Sequence, residues 1–379
     1  MDVLFVLMHF GKDGVSTNVL DLTEGLVNRG HTVSVITSGF RKGISTNLEF
    51  YESIQEKFQK WNVKTYYFKE PSGDLLKRGY QALSSMLYIL KKINVLKPDI
   101  IHCHSPNLTF LPWLLRKKFV STVHSDVIKP NFKYKHPTIL IAVSEGSKHF
   151  TETVMRSKPE TVRIVHHGIS KRFATKTKQI KLEALKEKYN ISNSNEKVTV
   201  GFVGRLAPVK GIDTLLNTVG NYLPQDVLQK IQLVLLGDYL TEQNENWVEG
   251  LVRDNNLEKI VSIVPFQDPK PFYDLFDILV LPSRSDTFGL VAVEAMMSGC
   301  CTIRSDSFGA IDQIDHGQNG FIFKVNDENG LGVLLNQVIA NRELRKNIGR
   351  KGKEKALNSF TIEKMVHGTI DVYKELLQL

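Results

Sequence analysis

Apolar and polar positions follow two alternating rhythms along this chain. Compact apolar runs recur at DVLFVLM (2–8), TVSVITS (32–38), KTYYF (64–68), DIIHC (99–103), VSTV (120–123), TILIAV (138–143) and VRIVHH (162–167). Runs that stay apolar on both faces predict strands buried inside a parallel sheet. Between them, stretches such as Ser16 to Asn28 repeat apolar residues at i, i+3, i+4 and i+7, which predicts helices. The rhythm breaks at SKRFATKTKQIK (170–181), a polar and basic linker. It then resumes with KVTVGFVG (197–204), IQLVLLG (231–237), IVSIVPF (260–266), DILVLPS (277–283), CCTIRS (300–305) and FIFKV (321–325). Strands alternating with helices give right-handed crossovers. The expected architecture is therefore α/β, two doubly wound, Rossmann-like parallel-sheet domains. Ligands of such sheets bind beyond the carboxyl ends of the strands, so the cleft between two facing domains is the expected active site.

Composition narrows the class. A chain of 379 residues suits two domains, and 42% hydrophobic with 23% charged residues is that of a globular protein. The N-terminus, MDVLFVLMHFGKDG, lacks a basic leader and reads as a first strand. No apolar run is long enough for a membrane span. The three cysteines (Cys103, Cys300, Cys301) have no metal-ligand spacing and point to a reducing, cytoplasmic setting. The net charge of +9 is unevenly spread: residues 1–170 hold 23 Lys and Arg against 14 Asp and Glu, whereas residues 171–379 hold 26 of each. An N-terminal half that meets an anionic partner explains that asymmetry.

Four segments could carry chemistry. In FVGRLAPVKGIDTLL (202–216), Arg205 and Lys210 sit between a strand end and a helix start, a favourable place for a diphosphate. In LPSRSDTFGLVAVEAMMSG (281–299), Asp286 precedes a helix and Glu294 lies in its second turn on an otherwise apolar face. A carboxylate so placed needs a partner, either a basic side chain or a pair of sugar hydroxyls. His104, His124 and the pair His166-His167 end three strands, but their spacing argues against a zinc site. GKDGVSTN (11–18) is a glycine turn that lets backbone approach a ligand. Neither glycine cluster fits the dinucleotide fingerprint G-x-G-x-x-G, and no Asp-x-Asp pair is available to hold a metal on a diphosphate.

Taken together, these segments resemble the retaining glycosyltransferases of family 4, with the two-domain GT-B fold. The resemblance runs from Gly14 and LVNRGHTVSVIT (26–37) through DIIHCHS, TVHSD, AVSEG (142–146) and GRLAPVKGIDTLL to SDTFGLVAVEAMMSG and DHGQNGFIF (315–323). It implies an N-terminal acceptor domain of residues 1–170 plus 360–379, and a C-terminal donor domain of residues 171–359. Arg205 and Lys210 match the pair that holds the donor diphosphate. Glu294 matches the second glutamate of the E-x7-E motif, which binds ribose. Phe288, Gly289, Leu290 and Val291 match the segment whose backbone meets phosphate and sugar, and Gly14 matches the loop over the phosphates. His124 matches a histidine near the anomeric centre, with His104 and His167 as nearby acceptor candidates. Asp286 stands where the family has its first glutamate, so its reach to the donor sugar is shorter by roughly 1.5 Å.

The implied reaction moves a hexosyl unit from a nucleotide diphosphate sugar, UDP-linked, to an acceptor hydroxyl with retention, and without a metal. Such an enzyme serves bacterial-type polysaccharide or glycoconjugate assembly. The alternative is a non-catalytic GT-B subunit that binds acceptor or a partner glycosyltransferase. Basic charge alone could also mean nucleic acid, but no reading motif accompanies it. The segment DLLKRGYQALSSMLYILKKINVLK (74–97) puts Leu76, Tyr80, Leu83, Met86, Leu87 and Leu90 in helical register among Lys77, Arg78, Lys91, Lys92 and Lys97. It reads either as a core-facing helix with a solvated basic side or as a helix lying on an anionic bilayer. With the charge asymmetry, the second option suggests a lipid-linked acceptor at the cytoplasmic face of a membrane, an acidic glycan or polypeptide being the other choice.

Overall fold

A computed structural model describes residues 1–40, 48–126, 134–192, 194 and 197–379. The chain forms two compact units, Met1–Gly168 with Ile362–Leu379, and Ile169–Thr361.

The first unit is built on β1 (Asp2–Val6), β2 (Thr32–Thr37), β3 (Lys64–Tyr67), β4 (Ile100–Cys103), β5 (Val120–Val123), β6 (Ile139–Ala142) and β7 (Val162–Ile164). They pair in parallel in the order β3-β2-β1-β4-β5-β6-β7. Val3 sits between Val33 and Ile100 in the register, so the centre of the sheet is a continuous apolar layer. Helices cover it. The helix Gly14–Val27 buries Val19, Leu22 and Leu26, and Ile362–Gln378 packs on it with Met365, Val366, Ile370 and Tyr373. Gly25 permits that approach, because a Cβ there would lie 2.3 Å from Val366.

The second unit contains β8 (Val198–Val203), β9 (Ile231–Leu236), β10 (Val261–Val264), β11 (Ile278–Leu281), β12 (Cys301–Ser305) and β13 (Phe321–Phe323). All pair in parallel in the order β10-β9-β8-β11-β12-β13. Every strand expected from an apolar run is present, and all but β5 are shortened at one or both ends. The lost residues matter. Gly204, His166 and His167 leave the sheet at its carboxyl edge, where backbone is no longer committed to a ladder.

Both strand orders reverse direction once. In the first sheet successive crossovers run β1 to β3 one way, then β4 to β7 the other, so the switch lies between β1 and β4. In the second it lies between β8 and β11. Loops leaving the strands at such a point diverge to opposite faces and open a crevice, the preferred ligand position in these folds. The loops after β1 and β4 carry Gly14 and His104; those after β8 and β11 carry Arg205, Lys210, Asp286 and Gly289. The three cysteines are buried thiols.

Candidate functional site

In the second unit the crevice is assembled by two loops locked to each other. After β8 the chain turns through a short 3-10 segment, Pro208–Lys210, and enters the helix Ile212–Tyr222. Gly211, at φ +66°, makes the junction, and a Cβ there would lie 2.0 Å from the Pro282 carbonyl oxygen. Only glycine allows both the left-handed backbone and that contact. Arg284, on the loop after β11, grips the first loop. Its Nη1 and Nη2 donate to the two carboxylate oxygens of Asp213 at 2.9 and 2.7 Å, and its backbone N–H donates to the Val209 carbonyl at 3.0 Å. Nη1 also donates to the Pro208 carbonyl. A forked, bidentate pair fixes geometry as well as charge. No local pattern announces this clamp, because its halves lie 71 positions apart.

Lys210 and Asp286 meet across the crevice, Nζ donating to Oδ2 at 2.7 Å, with both side chains 19% exposed. Burial alone would raise the Asp286 carboxyl. The Lys210 ammonium, the Arg304 guanidinium and the Gly289 N–H outweigh it and hold the group below its ordinary value. Arg205 is exposed at the β8 mouth, and its guanidinium has no ion-pair partner among the described residues. Gly289, at φ +81°, then starts the helix Leu290–Ser298. A side chain at Gly289 would press within 3.0 Å of the Arg304 guanidinium. Arg304, completely buried, braces this corner from beneath: Nη1 donates to the Phe288 carbonyl at 3.0 Å and to Gln313, and Nη2 donates to Ser307 at 3.2 Å. Burial lowers its pKa to about 10. Phe288 itself is a core residue, edge-on to Phe360 at 5.7 Å.

Glu294 lies in the second turn of the same helix, half-buried. Its partner is a tyrosine, and neither a lysine nor an arginine. The buried Tyr273 hydroxyl donates to Oε2 at 2.7 Å, while Oε1 accepts no hydrogen bond among the described residues. Desolvation pushes the Glu294 carboxyl up to about 7, moderated by the Tyr273 bond and the charge of Arg172. The mouth of the second sheet thus presents an exposed guanidinium, an ammonium on a carboxylate, a helix start and an oriented carboxyl with one oxygen to spare. That set can take an anionic group and a pair of hydroxyls.

The first unit gathers its histidines into a row. His104 and His124 hydrogen-bond through Nδ1 and Nε2 at 3.1 Å, and the His124 and His167 rings stack 5.3 Å apart. His102 lies 4.1 Å from His104, ring to ring, with its nitrogens on the hydroxyls of Tyr373 and Thr122, each at 2.7 Å. His167 Nδ1 meets the Asn18 amide at 2.7 Å. His102, His104 and His167 are buried, and His124 is partly accessible. Burial first, and then the charge of neighbouring rings, keep three of them neutral: His102 is lowered to about 3, and His104 and His124 fall well below their ordinary value. His104 Nε2 has no acceptor among the described residues, so a proton there would be buried unpaired. Gly14 begins the helix after β1, capped by Asp13, whose carboxylate accepts from the Ser16 N–H at 2.8 Å. Among the described residues, no group of three or more His, Cys, Asp or Glu is arranged to hold a metal ion, and no helix is long and apolar enough to cross a membrane.

Known proteins give this geometry its context. The family model described as Glycosyltransferase Family 4 matches residues 12–172, and that of Glycosyl transferases group 1 matches residues 184–355. An uncharacterised glycosyltransferase of Methanocaldococcus jannaschii is 34% identical over 87% of this chain and 83% of its own. The capsular polysaccharide biosynthesis glycosyltransferase CapM of Staphylococcus aureus is 28% identical over 59% of this chain and 58% of its own, so the match spans little more than half of that protein. Among solved structures, Anabaena HepE in complex with UDP superposes with a TM-score of 0.81 over 99% of this chain and all of that one, at 16% identity. Two parallel-sheet units, both halves matched by family models and a relative aligned over most of its length lead to one conclusion: the chain belongs to the family 4-type glycosyltransferases of GT-B fold.

Proposed function

We propose that this glycosyltransferase takes a hexose from a UDP-linked donor and passes it, with retention and without a metal, to an acceptor hydroxyl in polysaccharide or glycoconjugate assembly. The observation that carries the reading is the Lys210–Asp286 pair at the β8/β11 switch, with Arg205 exposed just past the end of β8. On donor binding, Lys210 turns from Asp286 to the diphosphate, and Asp286 is left to accept hydrogen bonds from the sugar hydroxyls. Arg205, Lys210 and the free N–H groups at Leu290 and Val291 stabilise the charge that builds on the departing diphosphate. Glu294, held through Oε2 by Tyr273, offers Oε1 to the ribose. Gly14 contributes a close backbone approach to the phosphates.

On the acceptor side, His124 is the ring with exposed surface, and His104 and His167 flank it. A neutral His124 polarises a sugar or acceptor hydroxyl and is unsuited to lasting positive charge. The departing phosphate takes the acceptor proton on the same face. The basic first half of the chain favours a lipid-linked or acidic acceptor. The kinship of CapM with capsular polysaccharide assembly supports the glycan reading.

The experiment is donor turnover by the purified protein against a Lys210→Ala variant. We expect kcat to fall by about 10²–10³. A rate unchanged by that substitution would discredit the phosphate site, and absence of transfer or hydrolysis with every nucleotide sugar offered would favour the non-catalytic subunit.

A further inference from the structure

The helix Leu75–Leu96 is turned inside out over its first half. Its buried seam is Gln81, Ser85, Ile89 and Ile93, one residue per turn. The two polar members of that seam are tied to the preceding loop: Gln81 Oε1 accepts from the Ser72 N–H at 2.8 Å, and the Ser85 hydroxyl donates to the Lys69 carbonyl at 2.6 Å. These bonds fix the rotation of the helix about its axis. They leave Leu76 (86% exposed), Tyr80 (75%), Leu83 (52%) and Leu87 (56%) facing water, with Leu75 beside them. Spaced i, i+4, i+7 and i+11, those four side chains form one stripe about 16 Å long. An ordinary surface helix turns its apolar stripe to the core. A stripe of this kind left in solvent marks an interaction surface.

The charge says what covers it. Lys77 flanks the stripe at one end and Lys91, four positions beyond Leu87, continues its face at the other, while the Lys92 ammonium lies over the Tyr66 ring at 4.3 Å; the 22-residue helix has no Asp or Glu. The neighbouring helix Phe110–Leu114, packed against it, exposes Trp113 and Leu114 just before Arg116, Lys117 and Lys118. We infer that the stripe Leu76–Tyr80–Leu83–Leu87 rests on an anionic lipid bilayer, its apolar side chains entering the boundary between headgroups and acyl chains while the bracketing cations meet lipid phosphates. Large apolar residues flanked by lysine and arginine, without acids, are what such a surface retains. The inference adds a partner to the acceptor reading above and does not depend on the donor chemistry.

Co-sedimentation of the full-length protein with vesicles tests it. Vesicles of phosphatidylcholine containing about 30% phosphatidylglycerol should bind the protein at least tenfold more tightly than phosphatidylcholine alone, and added salt should release it. Replacing Leu76 and Tyr80 together by Gln should lower binding about tenfold, as should Lys77→Gln with Lys91→Gln. UDP-induced thermal stabilisation should be the same in all these variants, which verifies the fold and keeps this test apart from that of the donor site. Should UDP fail to stabilise any of the proteins, the donor reading falls and the membrane inference stands on its own data. Equal binding to both vesicle types, or binding indifferent to Leu76 and Tyr80, would overturn it. So would concentration-dependent self-association abolished by the Gln variants, which would make a second copy the occupant.

Discussion

The two sheets share a topology and differ at the mouth. At the β8/β11 switch the side chains are charged and paired: Lys210 on Asp286, Arg284 on Asp213, Arg304 beneath. Along the carboxyl ends of β4, β5 and β7 the row of His102, His104, His124 and His167 is held by hydroxyls, an amide and ring stacking, and His102, His104 and His124 stay neutral. One fold therefore serves two electrostatic tasks, and the loop residues decide which. Fixed cations suit a departing diphosphate, whereas stacked neutral imidazoles suit hydroxyl groups that must not be held too strongly.

The difference can be broken from either side. The largest effect should come from Gly211→Val, which forces a Cβ into the Pro282 carbonyl at a positive φ and prises the two charged loops apart. We expect a loss of about 3 kcal/mol or more in urea unfolding, together with the loss of UDP-dependent stabilisation. Acid should come next, and it should strike the histidine row. His102 binds its proton in the unfolded chain near pH 6.5 but in the folded one only near 3, so stability is complete above 6.5 and falls as pH drops through that window. Between pH 6.5 and 5 the cost is about 2 kcal/mol for this ring. Hydrogen exchange should show β4 and β5 losing protection before β8 and β9, and the reverse order would contradict the neutral-row description.

Glu294 has the opposite sign. Its folded value near 7 lies above the unfolded 4.5, so the folded state holds the extra proton and its contribution to stability declines as pH rises from 4.5 to 7. Glu294→Gln should therefore stabilise the empty protein at pH 8 by about 1–2 kcal/mol while weakening nucleotide binding. Calorimetry of UDP binding in buffers of different ionisation enthalpy should detect proton release near pH 7, and proton-neutral binding would separate Glu294 from the ribose. The smallest change should follow Tyr273→Phe. Loss of one hydrogen bond to Oε2 frees the carboxyl to rotate, and UDP affinity should fall about fivefold with little effect on β4 or β5 protection.

Much of this was legible in the residues. All the strands followed from apolar runs, most of them because a strand buried on both faces leaves no other pattern, and the helices after Gly211 and Gly289 followed from glycine-containing loops that lead into apolar periodic stretches. The support of the site was not. Tyr273 sits in a helix of only four residues, Lys270–Tyr273, too short to display a period, so nothing aimed it at Glu294. Arg304 reads as one polar residue in an apolar strand; its carbonyl partners come from loops that only the tertiary fold brings near. The helix Leu75–Leu96 was readable as amphipathic but not as to which face turns inward. That choice was made by two carbonyl and amide groups of the loop at 69–72, which needed Gln81 and Ser85 more than the core needed leucines.

The Lys210–Asp286 contact has a consequence for turnover. An empty crevice already supplies its own counterion, so a stray inorganic phosphate can claim the ammonium only by stranding a carboxylate in poor solvent. On the proposed donor reading, a sugar nucleotide escapes that penalty, since it would bring hydroxyls for Asp286 along with oxygens for Lys210. Once the sugar had gone, the remaining nucleotide would no longer satisfy Asp286, and the aspartate would compete to recover its lysine, a built-in push toward discharge of the spent carrier.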